Sequence, residues 1–136
     1  MIHFNYCDCL KDYVQFIDSF CIYKNNSNET LLKSDEEFLK LKNNLTSLFE
    51  NGRVMPAFGV SLHEETLNEI NKGEWLEINF LKSMNINGLL FDSLLLKVET
   101  TSGINLIRKF EGRYEGRCVY LDFDDVMDLK QILNIS

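Results

Sequence analysis

A chain of 136 residues, 45% hydrophobic and 12% aromatic, has the length and apolar content for one packed domain over 1–136, which excludes intrinsic disorder. Its net charge of −7, from 21 acidic and 14 basic residues, argues against nucleic acid or an anionic membrane surface as partner; it is compatible with a basic protein partner and equally with a charge that serves solubility alone. Met1-Ile2-His3-Phe4-Asn5 lacks the basic start of a signal peptide, and no apolar run is long enough to span a bilayer. A cytoplasmic location is therefore expected, with Cys7, Cys9, Cys21 and Cys118 as free thiols.

In chain order, residues 2–6 alternate apolar and polar and predict a short strand. Leu10, Tyr13, Val14, Ile17, Phe20 and Cys21 recur at spacings of three and four, which predicts a helix over 8–23. The polar run 24–29 reads as a flexible loop. Ser34-Asp35-Glu36-Glu37 has capping-box spacing, and Phe38, Leu41, Leu45, Leu48 and Phe49 continue as one stripe to the Asn51-Gly52 stop. Residues 53–62 read as extended, with Pro56 and Gly59 favouring an edge position or a bulge. Ser61-Leu62-His63-Glu64 repeats the capping-box spacing and opens a short helix ending at Lys72-Gly73.

Residues 75–80 alternate cleanly. Leu76, Ile78 and Phe80 share one face, with Trp75, Glu77 and Asn79 on the other, the pattern of a half-buried strand. Asn87-Gly88 signals a turn. The run 89–98 carries leucines on both parities and predicts the middle of a sheet covered on each side. Strands follow over 104–111 and 117–123, and the echo Glu111-Gly112-Arg113-Tyr114, Glu115-Gly116-Arg117-Cys118 reads as a glycine-rich hairpin connection. Asp124 or Asp125 caps a final helix carrying Val126, Leu129, Ile132 and Leu133.

This order predicts the α+β class: a mainly antiparallel sheet of about five strands with helices packed on it, helix-rich in its N-terminal half and strand-rich in its C-terminal half.

Chemical motifs are sparse. Cys7-Asp8-Cys9, with His3 and Cys21, lacks the paired spacing of structural zinc sites. The Asp-Asp-x-x-Asp at Asp124, Asp125 and Asp128 aligns carboxylates on a helix, yet aspartates at a helix start are also favoured by capping and the dipole. His63-Glu64-Glu65 opens like a His-Glu-x-x-His zinc motif, but position 67 is leucine. With no nucleophile elbow, phosphate loop or dinucleotide fingerprint, the chain is expected to be no enzyme and to hold no metal or cofactor. Arg108, Lys109, Arg113 and Arg117 surround Phe110 and Tyr114, but Glu111 and Glu115 among them predict cross-strand ion pairs.

The stretch 64–77 holds Glu64, Glu65, Glu69, Glu74 and Glu77 against Lys72 alone. Trp75 falls on the predicted outer face beside Glu77, the arrangement of an interface anchor within a steering acidic rim. Burial of Trp75 under a helix, with the glutamates solvated, is the competing reading. The expected partner-binding residues are thus Glu64, Glu65, Glu69, Glu74, Trp75, Glu77, Asp124, Asp125 and Asp128.

In size, acidity and lack of motif the chain resembles bacterial immunity proteins. These neutralise a toxin, often a nuclease, by covering its active site or a distant surface. The resemblance implies an inhibitor of a basic toxin. Two other classes stand beside it: a small-molecule-binding or enzymatic domain with a pocket between sheet and helices, and a subunit of an assembly using an exposed sheet edge.

Overall fold

The computed structural model describes residues 5–6, 13–24, 27–51, 53–54, 63–70, 72–86, 89–98 and 104–121. The elements are β1 (Asn5–Tyr6), a 3-10 turn (Tyr13–Phe16), β2 (Ile17–Lys24), β3 (Ser27–Leu32), α1 (Glu36–Asn51), β4 (Arg53–Val54), α2 (His63–Glu69), β5 (Glu74–Ile86), β6 (Leu89–Lys97), β7 (Ile104–Phe110) and β8 (Arg113–Leu121). One sheet contains all the described strands in the order β1-β4-β8-β7-β6-β5-β2-β3, and every paired neighbour is antiparallel. Because β1 and β4 are two residues each, its body is six strands.

The first face is the apolar core. Phe20 and Ile22 of β2 pair with Ile78 and Leu76 of β5, which in turn oppose Leu94 and Leu96 of β6, all buried. Strand alternation places these six side chains on one surface, and α1 covers it with Phe38, Leu41 and Leu45. Phe20 and Phe38 meet at 5.1 Å between ring centroids. Asp35 precedes α1, its side chain accepting the Leu32 N–H at 2.8 Å and its carbonyl accepting the Phe38 N–H at 3.1 Å.

The predicted helix-rich N-terminal half is corrected. Residues 13–23 form a 3-10 turn and β2 instead of a helix, with 8–12 outside the described set, and of the polar run Lys24 ends β2 while Ser27 to Glu29 already belong to β3. The helical spacing has a specific cause. Ile17 pairs with Phe80 and Ser19 with Asn79, so Asp18 is the extra residue of a bulge. That insertion lets Ile17 and Phe20, three apart, both point inward, which imitates one face of a helix. Polar β3 is an edge strand with little to bury, and no alternation marks it.

Elsewhere the pattern is stronger. Leu94, Leu95 and Leu96 are all fully buried, as a strand covered on both sides requires. Ile86 pairs with Leu89 around the Asn87-Gly88 turn signal, which itself lies outside the described residues. Glu111 and Gly112 join β7 to β8 at φ of 49° and 83°, the two positive values that a type I′ hairpin turn demands. The second half of the echo does something different. Gly116 pairs with Arg108 and Tyr114 with Lys109, leaving Glu115 as a bulge inside β8. β4 runs between β1 and β8 instead of at an edge, and residues 55–62 are outside the described set. The final helix predicted over 124–133 and the turn at 100–103 also lie outside it.

Candidate functional site

Register builds a second face that is unlike the first. Directly paired residues in an antiparallel sheet share a face. One row therefore runs Cys21, Glu77, Leu95, Ile107 across β2, β5, β6 and β7. The next runs Ser19, Asn79, Ser93, Lys109, Tyr114 from β2 to β8. A third begins with Tyr23, Trp75 and Lys97. The bulge at Glu115 keeps Tyr114 opposite Lys109 and so holds both beside Glu77.

These rows mix an apolar cluster with polar bonds. Trp75, Leu95, Ile107 and Tyr114 pack together, joined by Tyr23 and by Ile70 just past α2. Glu77 lies within this layer at 5% exposure. The Tyr114 hydroxyl donates to Glu77 Oε2 at 2.7 Å, and Lys109 Nζ stands 3.7 Å from Oε1. The same ammonium sits 5.2 Å above the Tyr114 ring. Alongside, Ser93 donates to Asn79 Oδ1 at 2.8 Å and Asn79 Nδ2 donates to Ser19 Oγ at 3.3 Å, a hydrogen-bonded line across three strands.

α2 closes this face from the β8 side. His63, its first residue, accepts the Tyr114 backbone N–H on Nδ1 at 3.2 Å and stacks on the Tyr114 ring at 6.0 Å. Thr66 is the buried residue of this helix. Over β2 the cover is thinner, and Ser19, Cys21 and Tyr23 are half-buried. Burial, and then the bond to Glu77, push the Tyr114 phenol well above the ordinary tyrosine range. Burial first, then a bond to the Cys21 side chain and the charge of Glu77, do the same for Tyr23. Both phenols remain neutral donors at physiological pH.

The residues expected to bind a partner are distributed unevenly. Trp75 is buried, donating Nε1–H to the Lys72 carbonyl at 2.9 Å with Lys97 Nζ 5.8 Å above its ring. The outward-facing tryptophan is thereby corrected, and Glu77 is interior with it. Glu64 and Glu65 are exposed on α2, while Glu69 and Glu74 are half-exposed. Asp124, Asp125 and Asp128 lie outside the described residues, as do His3, Cys7 and Cys9. Among the described residues, Lys109 makes its ion pair with Glu77 two strands away and not with Glu111 or Glu115, and Arg108 donates to the Leu90 carbonyl at 2.8 Å. Sequence reasoning missed Tyr114, Lys109, Tyr23 and Cys21 as companions of Glu77. The available signal was Glu77 on the second face of an alternating strand, beside a leucine-rich run that had to be covered on both sides.

The arrangement can hold a charge in a low-dielectric layer and can donate or accept protons around it. It brings together a carboxylate, an ammonium, two phenols and an imidazole, with a thiol in register. Among the described residues, no three His, Cys, Asp or Glu side chains converge as metal ligands, and no helix is long and apolar enough to cross a membrane.

No protein-family model and no curated protein matches the chain. A solved structure, that of a thioesterase-like protein from Clostridium sporogenes, is similar at a TM-score of 0.41 and 16% identity, covering 85% of this chain and 93% of that one. The immunity-type inhibitor reading is corrected on the structure itself: its expected anchor, Trp75, is buried, so the reading is set aside.

Proposed function

We propose that the chain is a small-molecule-binding α+β domain whose site lies between the second face of the sheet and α2, with Glu77 as the recognising group. The observation that carries this reading is a carboxylate held at 5% exposure on an interior strand, in register with Leu95. Desolvating a charge costs several kcal/mol, and apolar replacements of buried ion pairs are often neutral or stabilising by about 1–4 kcal/mol. Packing alone therefore favours leucine at position 77. A polar group retained at such a cost, bordered by the Ser19–Asn79–Ser93 line, fits a surface that orients a ligand. Catalysis is the narrower form of the same reading, with Glu77 as the proton acceptor and Tyr114 and Tyr23 as donors.

The test is thermal stabilisation by a panel of small cations, neutral polar compounds (acyl thioesters included) and carboxylates, with binding mapped by backbone amide shifts. A ligand at about 100 times its Kd adds about 2.7 kcal/mol of stability. Shifts at Cys21, Glu77 and Tyr114, abolished in Glu77→Leu, support the site. Shifts confined to the α1 face, or a panel without effect, sink it.

A further inference from the structure

The ligand class follows from what already occupies the site. Lys109 extends from β7 so that its ammonium meets a carboxylate oxygen on one side and an aromatic face on the other, 3.7 Å from Glu77 Oε1 and 5.2 Å from the Tyr114 centroid. An ammonium between an anion and a ring is the arrangement by which proteins recognise organic cations. Here the chain supplies the cation itself. On the basis of the binding site proposed above, we propose that the site takes an organic cation, a primary or quaternary alkylammonium, whose head group replaces Lys109 at Glu77 and the Tyr114 ring.

Three features favour exchange. The Lys109 contact exceeds the 2.7–3.2 Å range of a hydrogen bond, so it is an ion-pair contact that a better-seated ammonium improves upon. The Lys109 side chain is 28% exposed against 6% for Glu77, so it stands on the solvent side and can swing out while the carboxylate stays. Tyr114 keeps Oε2 occupied and holds the carboxylate in place as Lys109 leaves.

Charge then selects the sign of the ligand. Glu64 and Glu65 are exposed on α2, whose first residue His63 bonds to Tyr114, and Glu69 and Glu74 follow in the same stretch. Set against Lys72 and Lys97, these four carboxylates leave the neighbourhood net negative, which favours the approach of cations over anions. An anionic ligand would meet Glu77 unscreened once Lys109 moved. A neutral ligand would gain neither the ion pair nor the ring contact in full.

The experiment compares n-butylammonium, tetramethylammonium, n-butanol and butyrate on the whole chain, read by the fluorescence of Trp75, the one tryptophan, and by amide shifts. The expected result is binding of the ammonium ions to the wild type, at least ten-fold tighter in Lys109→Met and absent in Glu77→Gln. Lys109→Gln, polar but uncharged, serves the same purpose as Lys109→Met if that variant does not fold. Equal binding of butanol or butyrate at Glu77 overturns the cation class and leaves the small-molecule site standing. Failure of both ammonium ions to bind a folded Lys109 variant overturns the class outright. Ammonium binding that maps to α1 overturns the site reading with it.

Discussion

Replacing Glu77 and Tyr114 separately and together measures what the buried carboxylate is for. Tyr114→Phe removes the hydroxyl that donates at 2.7 Å to Glu77 Oε2. Hydrogen bonds to charged groups contribute about 1.5–3 kcal/mol, so that loss is the expected destabilisation. Glu77→Leu strands the Tyr114 hydroxyl in an apolar layer, at about 1–3 kcal/mol, and releases Lys109, which is hydrated enough to add little. The double variant removes donor and acceptor together and leaves leucine against Leu95 and Ile107. Its stability should equal the wild type or exceed it by up to about 4 kcal/mol. The singles sum to about 2.5–6 kcal/mol, so the coupling between the sites is at least about 2.5 kcal/mol. Urea denaturation followed by Trp75 fluorescence gives all four values. If the double variant loses as much as the singles combined, Glu77 is a structural keystone, and the argument that polarity there serves binding fails.

Three further outcomes are expected. Because the folded state raises the Tyr114 and Tyr23 phenols, their contribution to stability is complete below the ordinary tyrosine value of about 10 and is lost as pH rises past it. Denaturation midpoints between pH 8 and pH 11.5 should fall at the alkaline end, less steeply in Tyr114→Phe; identical slopes would contradict the assignment. His63→Phe keeps a ring over Tyr114 but removes the acceptor for its N–H, so exchange of the Tyr114 amide should quicken about 2- to 12-fold for a bond of about 0.5–1.5 kcal/mol, and unchanged protection would refute the contact. Gly112→Ala places a Cβ in open space at φ of 83°, so its cost of about 1–2 kcal/mol is backbone strain alone, checked by the same denaturation series and refuted by a neutral result.

Legibility in the sequence followed the strength of burial. α1 was readable because its stripe is complete and its cap signal local, and β5 and β6 because alternation and two-faced leucine content leave few other structures open. β2 was misread because a single inserted residue, Asp18, shifts the inward phase partway along the strand. The site was half legible. Glu77 could be placed opposite the core face, but its partners come from β7 and β8 at separations of 32 and 37 residues, and only cross-strand register, adjusted by the Glu115 bulge, unites them. Trp75 shows why polarity misleads there. Carboxylates beside it in sequence marked it as outward, whereas its own indole N–H found a backbone carbonyl three residues away and turned inward.

The hydrophilic character of β3 carries a consequence beyond misreading. Ser27, Asn28, Glu29 and Thr30 are all exposed along the sheet margin, so this border offers backbone groups to any passing strand but almost no greasy side chains to reward the encounter. Valines there would strengthen the hairpin and at the same time invite fibrillar stacking of one molecule upon the next. Weak local propensity at that margin is what keeps a long six-stranded ribbon from growing past its own end.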